Sequence, residues 1–280
     1  MSRLSAIYIL AKNEQANIER CLVSSLDMCD TVVVLDSGSN DRTLEICGQY
    51  ERVTLRPFDY RNHCVAYNQI VTWHSDREHI AVLDADMQIP QSLAGEVEHV
   101  LASEPTVEAI IAPVMMYWDA EPLRYSSLYP PKPIVFRGGR PLFEPAGHGE
   151  HLIADAKVAY TKEKLIHDDR KPLDTVLANQ WRYAKDTVRR SLSGKVTRRD
   201  RIRLRSPLMM LIVPLYALII RRGLLDGKQG IIYAIDRLIA EALTYRASLS
   251  ATVRREVAAE GASREDEKPP STSERTTIDS

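Results

Sequence analysis

The segment His79-Ile80-Ala81-Val82-Leu83-Asp84-Ala85-Asp86 carries a short apolar run straight into two carboxylates one residue apart. A run of that length ending in charge reads as a buried strand that stops at an Asp-Ala-Asp corner. Aspartate is a poor strand residue, so two at a strand end call for a reason. In open α/β sheets, ligands bind just beyond the carboxyl ends of strands. Paired hard oxygen ligands there suit Mg²⁺ or Mn²⁺, ions that commonly share their shell with substrate phosphates. A solvated turn would look the same in isolation, and the flanking chain separates the two readings.

Upstream, Ala6-Ile7-Tyr8-Ile9-Leu10 reads as a first strand ending in the polar break Ala11-Lys12-Asn13-Glu14. Residues 17–26 have helical spacing, with Ile18, Leu22, Ser25 and Leu26 on one face. Thr31-Val32-Val33-Val34-Leu35 is β-branched and runs into Asp36-Ser37-Gly38-Ser39-Asn40-Asp41, a turn that can cap a helix over 42–50. A short strand at Val53-Thr54-Leu55 and a helix over 62–73 precede the Asp-Ala-Asp strand. Strand and helix alternate, which predicts the α/β class with a mostly parallel, Rossmann-like sheet between helices. Three strand ends then converge on one edge, carrying Asn13 and Glu14, Asp36, and Asp84 with Asp86. Neither a P-loop nor a dinucleotide glycine fingerprint occurs, so phosphates would be held by a metal and by basic side chains such as Lys12 or Arg61.

The formal net charge of −1 argues against a general nucleic-acid binder. Cys21, Cys29, Cys47 and Cys64 show neither zinc spacing nor a disulfide framework, and read as buried thiols of a reducing, cytoplasmic compartment. The apolar run from Ala6 to Ala11 is too short for a signal peptide and meets Lys12 and Glu14 at once.

These segments resemble family 2 glycosyltransferases. Ala11-Lys12-Asn13-Glu14 with Asn17-Ile18 looks like the family's opening, and residues 34–43 resemble its nucleotide segment V-D-S-G-S-x-D-x-T. Leu83-Asp84-Ala85-Asp86 resembles its D-x-D, in the same order and at similar spacing. The resemblance implies the GT-A fold, an inverting mechanism and a nucleotide-sugar donor. It implies that Glu14 and Asp36 contact the nucleoside, Asp36 at the base, and that Arg61 meets base or diphosphate. Asp84 would touch the ribose and Asp86 would bind the metal. Lys12, Asn13, Ser37 and Ala85 complete the expected donor-binding set.

Residues 91–103 read as a helix, and 109–113, 115–118 and 133–137 as strand-like segments. Tyr117, Trp118, Tyr125 and Tyr129 are aromatics that either stack on a sugar or pack in the core. His167-Asp168-Asp169-Arg170-Lys171-Pro172-Leu173, followed by Gln180-Trp181-Arg182-Tyr183, is similar to the bacterial lipopolysaccharide-core β-1,4-glucosyltransferases. The segment Gly223-Leu224-Leu225-Asp226-Gly227 with Ile239-Ala240-Glu241 fits the same subgroup. The xED segment of many family 2 enzymes has no clean match, and Glu150 is the nearest acid by position. An inverting transfer needs a base for the acceptor hydroxyl. Asp168 and Asp169, beside His167, Arg170 and Lys171, are the favoured candidates and Glu150 the third. His167 is also a candidate for holding the metal or the diphosphate.

Arginines crowd residues 189–205, where Asp200 is the sole acid. The apolar run Ser206–Ile220 contains Pro214 and ends at Arg221-Arg222. It is short for a bilayer span, which needs ~20 apolar residues. Its basic flanks fit either a segment lying on an anionic inner leaflet or a helix packed on the catalytic domain. The expected division is a catalytic domain over 1–185, a basic and amphipathic helical region over 186–250, and a charged, Ser/Thr-rich disordered tail over 251–280. The reading is a metal-dependent glycosyltransferase moving a hexose, glucose from UDP-glucose in the leading version, to a glycolipid or saccharide acceptor such as lipopolysaccharide core. A nucleotide-sugar-binding protein without turnover and a sugar-phosphate nucleotidyltransferase are the alternatives. The second would want a Gly-rich basic loop after the first strand, which residues 11–14 do not supply.

Overall fold

The computed structural model describes residues 4–146, 149–194 and 197–250, together with Val253 and Arg255. The chain begins with strict alternation: β1 (Leu4–Ala11), α1 (Ile18–Met28), β2 (Val32–Asp36), α2 (Thr43–Cys47), β3 (Val53–Pro57), α3 (His63–Thr72) and β4 (His79–Asp84). There follow β5 (Met87–Gln88), α4 (Gln91–Ser103), β6 (Ala109–Ala112), β7 (Val114–Trp118), β8 (Glu121–Pro122), β9 (Lys132–Arg137), β10 (Phe143–Ala146), β11 (Gly149–Leu152), β12 (Val158–Tyr160) and β13 (Leu165–His167). The rest is helical: α5 (Leu173–Leu192), α6 (Arg198–Arg205), α7 (Met209–Leu215, prolonged as a π-turn over Tyr216–Ile220), a 3₁₀ turn at Gly223–Asp226, and α8 (Gly227–Leu249).

Among the described residues the main sheet has seven strands in the order β12-β6-β9-β4-β1-β2-β3. Every neighbouring pair is parallel except those made by β9, which runs antiparallel between β6 and β4. The expected mostly parallel α/β sheet is thus present. Strands β1, β2 and β4 are buried on both faces, as central strands of a helix-covered parallel sheet must be, and their near-continuous Val/Ile/Leu content follows. Edge strand β3 is mostly exposed. Helix α1 covers one face through Ile18, Cys21, Leu22, Ser25 and Met28, a one-sided helical stripe. The other face packs Tyr67 of α3 against Phe136 and Phe143, ring centroids 5.6 and 5.1 Å away. Replacing such a buried phenylalanine by alanine costs roughly 3–5 kcal/mol. Cys21, Cys29, Cys47 and Cys64 are buried, and none of them is in a disulfide.

A second sheet of four strands, β5-β13-β7-β8, stands beside the main one. In it β13 pairs in parallel with β7 and antiparallel with β5, placing His167 opposite both Met87 and Met116. Helix α5 runs through position 185 and packs on α8 around Ala184, Val188, Leu204 and Ala247. The segment 223–227 has a clear structural task. The Asp226 carboxylate accepts the backbone N–H groups of Arg124, Tyr125 and Ser126 and the Ser126 hydroxyl, which pins the start of α8 to the chain after β8. Trp118 donates its indole N–H to Asp236 at 2.7 Å and meets Tyr233 edge-on, so this aromatic belongs to packing against α8.

No single helix among the described residues is long and apolar enough to cross a membrane. The helices 198–205 and 209–220 have span-like composition only when taken together, and they are bent by 119°. The tail beyond Arg255 lies outside the described residues.

Candidate active site

The parallel register sets the three strand ends level. Ala11 pairs with Asp36 across β1 and β2, and Leu10 with Asp84 across β1 and β4. Glu14, Asp36, Asp84 and Asp86 are thereby gathered at one edge of the sheet, as the sequence suggested.

Asp36 organises its own turn. Its carboxylate accepts the N–H of Gly38 at 2.9 Å, the N–H of Ser39 at 3.0 Å and the Ser39 hydroxyl. Gly38 has φ +84°, a conformation that favours glycine. The turn is stitched to the end of β1: Asn13 donates its N–H to Ser39 Oγ and accepts from the Asn40 N–H, both at 2.8 Å. Asn13 itself is left-handed, φ 56°. Glu14 donates its N–H to Thr43 Oγ1 at 2.8 Å, and Ser37 donates its N–H to the Ala11 carbonyl at 3.0 Å. The two motif loops therefore form one rigid rim. Lys12 and Arg61 are exposed beyond it, Arg61 holding Asp59 at 3.1 Å.

At the end of β4, Asp84 Oδ2 accepts from Lys132 Nζ at 2.7 Å. Burial works against the charge of Asp84, but Lys132 and His63 outweigh it and hold this carboxyl well below the usual range. Lys132, buried in β9, is held well above the ordinary lysine value despite burial, because of Asp84. Ala85, fully enclosed, donates its N–H to the Leu10 carbonyl at 3.2 Å. Asp86 faces His167, Nε2 to Oδ2 being 3.4 Å. Burial raises the Asp86 pKa, His167 opposes the rise, and Asp84 and Asp169 add to it. Asp86 Oδ1 and His167 Nδ1 are buried without a hydrogen-bond partner. Tyr129 lies 4.9 Å from the His167 ring.

The loop after β13 is drawn onto this corner by the Asp168 N–H, which donates to the Asp86 carbonyl at 2.9 Å. Asp168 and Asp169 then diverge. The Asp168 carboxylate is only 4% exposed and is gripped by Arg170 at 2.9 and 2.8 Å, with Arg20 at 3.7 Å. Asp169 is 28% exposed, and one oxygen accepts from Asn17 Nδ2 at 2.8 Å and from the Lys171 N–H at 3.2 Å. Lys171 reaches Glu14 at 2.6 Å. Burial pushes the Glu14 carboxyl up to about 7, Lys171 opposing and Asp86 adding to the rise. For Lys171 the balance tips the other way: burial alone would lower its pKa, but Glu14 and Asp169 raise it. Glu150 belongs to β11, paired with Pro145, but its side chain lies outside the described residues, as do Gly147 and His148.

Two residues outside the expected donor-binding, metal and catalytic sets hold this centre together. Asn17, 1% exposed, donates to Glu14 and Asp169 and accepts from Arg20 and the Arg170 N–H. It was visible in sequence only as part of the opening motif. Lys132 lies in an unremarkable strand with no local signal of its partner.

Among the described residues no group of three His, Cys, Asp or Glu side chains is preassembled around a cation position. The donor chemistry nevertheless fits one. Asp86 offers a buried, unpartnered carboxylate oxygen beside an imidazole, suited to Mg²⁺ or Mn²⁺ with the remaining ligands from substrate and water.

The chain belongs to glycosyl transferase family 2, whose model matches residues 6–145, half of its 280 residues. The mostly parallel sheet flanked by helices is the architecture expected of that family. Two curated relatives are uncharacterized glycosyltransferases from Rickettsia bellii, 29% identical over 37% of this chain, and Rickettsia felis, 32% identical over 37%. Each match spans 35% of the relative's own length. Among solved structures, a mannosyltransferase from Pyrobaculum calidifontis in complex with GDP-Man and Mn²⁺ is 17% identical, with a TM-score of 0.43 over 94% of this chain and 81% of that one. A glucosyl-3-phosphoglycerate synthase from Mycobacterium tuberculosis is 18% identical, with a TM-score of 0.39 over 61% and 74%.

Proposed function

We propose that the protein is an inverting, metal-dependent glycosyltransferase that moves a hexose from a nucleotide sugar to a saccharide or glycolipid hydroxyl. The observation that supports this most is the buried, unpartnered Asp86 Oδ1, set where the ends of β1, β2 and β4 meet His167. Asp86 and His167 would hold Mg²⁺ or Mn²⁺, and the ion would offset the charge of the departing diphosphate. Glu14, Asp36 and the rim of Asn13 and Ser37 would receive the nucleoside. Asp84, fixed by Lys132, would face the ribose.

Asp169 is the residue we assign as base. Its second oxygen has no hydrogen-bond partner among the described residues, whereas Asp168 is enclosed by Arg170 and Arg20. As the acceptor oxygen attacks the anomeric carbon, its proton passes to Asp169 and the bond to the nucleoside diphosphate breaks, inverting the centre. Glu150 remains the alternative base.

In the finer reading the donor is UDP-glucose and the acceptor resembles lipopolysaccharide core, on the strength of the His167–Leu173 and Gln180–Tyr183 motifs. The protein would work at the cytoplasmic face of the membrane. Support comes from the exposed apolar side chains of Leu208, Leu211, Ile212, Ile219 and Ile220, amid the arginines of α6 and Arg221-Arg222. The test is a panel of nucleotide sugars assayed for slow hydrolysis with and without Mn²⁺, which needs no acceptor. Metal-dependent release of one nucleoside diphosphate supports the reading. Binding without hydrolysis, for every sugar and metal, points to a binding protein.

A further inference from the structure

A concavity of about 400 Å³ lies between the chain after β8 and the helical region, lined by Ser127, Leu128, Tyr129, Arg199, Tyr216 and Arg221. Its charge is one-sided. Arg199 and Arg221 make no ion pair among the described residues, and Arg221 donates only to the Ser127 carbonyl, at 3.1 Å. The nearby acids are engaged elsewhere: Asp200 pairs with Arg203, and Asp226 holds three backbone N–H groups. Two arginines in a cavity lining that, among the described residues, contains no carboxylate suit an anion with several oxygens, and phosphate geometry matches the arginine fork.

The position of the cavity says which phosphate. One wall is Tyr129, whose ring lies 4.9 Å from that of His167 in the candidate active site. Another is Tyr216, at the start of the π-turn whose Ile219 and Ile220 are 61% and 67% exposed. The cavity thus lies between the open apolar face, reached at Tyr216, and the candidate active site, with which it shares the Tyr129 wall. We propose that it binds the phosphate of a membrane-anchored acceptor, a phosphomonoester or diester whose lipid chain lies along the exposed face of α7. The arginines fix the anchor's phosphate, and Tyr129 marks the path along which the acceptor hydroxyl reaches Asp169. This rests on the glycosyltransferase reading for the acceptor's role, but the anion site itself is tested without turnover.

The test compares sedimentation of the full chain with two vesicle types matched in surface charge, phosphatidylcholine with phosphatidic acid and phosphatidylcholine with oleate. The wild type should favour the phosphate vesicles by about tenfold, as two charge-assisted contacts would give. The double variant Arg199→Gln/Arg221→Gln should bind both types equally. The control Arg201→Gln/Arg205→Gln removes the same charge from exposed positions of α6 outside the cavity and should keep the preference while weakening both bindings alike. Equal binding of wild type to both vesicles, or loss of preference in both double variants, would overturn the proposal. So would saturation of the site by inorganic phosphate without any effect on vesicle binding, or self-association that hides the α7 face and abolishes vesicle binding. Titration of the same proteins with the panel of nucleotide sugars separates the two readings: absence of binding by the wild type for every sugar would remove the donor-transfer reading and leave the vesicle result standing.

Discussion

Asn17 donates its side-chain amide to Asp169 at 2.8 Å, joining residues 152 positions apart. The same nitrogen reaches Glu14 at 2.9 Å, so one buried side chain ties the donor rim to the loop that carries the assigned base. That amide is one of several ties between the two parts, alongside the Lys171–Glu14 contact at 2.6 Å and the Asp168 N–H on the Asp86 carbonyl at 2.9 Å.

Asn17→Ala should therefore cost stability and activity together. It leaves Arg20, the Arg170 N–H and two carboxylates short of a partner in a buried place, worth roughly 1–3 kcal/mol. Urea unfolding should show the loss at unchanged slope. Asn17→Asp keeps the size but adds a third carboxylate beside Glu14 and Asp169, and its deficit should be larger at neutral than at acid pH.

Glu14 makes a signed pH prediction. Its folded value of about 7 lies above the ordinary value of 4.5, so its contribution is fully present below 4.5 and is lost as pH rises through 7. The limit is about 3 kcal/mol. Stability measured across that window should fall in the wild type, and Glu14→Gln should flatten the curve.

Lys132 and Asp84 form a pair whose halves should not be separable. Lys132→Met strands the Asp84 carboxylate and should cost on the order of 3–5 kcal/mol, whereas Lys132→Met/Asp84→Asn should recover much of it. A double-mutant cycle in urea gives the coupling. Additive single effects would contradict the pairing.

The base assignment separates two neighbours. Asp169→Asn should bind donor normally and lose transfer by roughly 10²–10⁴-fold. Asp168→Asn should chiefly lower the melting temperature, since it breaks the grip of Arg170 and Arg20. If Glu150→Gln alone is inactive, the base sits in β11 and the loop after β13 is structural.

The sequence made the donor half legible because its signals are local. An apolar run ending in Asp84-Ala85-Asp86 is a buried strand meeting a polar edge, and helix α4 falls on the expected residues 91–103. What escaped was whatever depends on distant pairing. Strand β9 inserts antiparallel beside β4, and only that insertion brings Lys132 to Asp84. Asn17 reaches Asp169 only because β13 docks between β5 and β7. The Asp36 carboxylate holds its own turn together, a task at which adjacent Ser37-Gly38-Ser39 hints only through turn chemistry. Asp168 and Asp169 looked equivalent as neighbours in sequence, and their surroundings separate them.

On the proposed function, Asp86 holds a divalent ion through which the donor binds. The most direct measurement is calorimetric titration of UDP-glucose into wild type and Asp86→Ala, each with and without Mn²⁺. Wild type with Mn²⁺ should bind tightly and the other three titrations should show weak binding, with folding of the variant confirmed by its melting curve. Equal affinity in all four would contradict it.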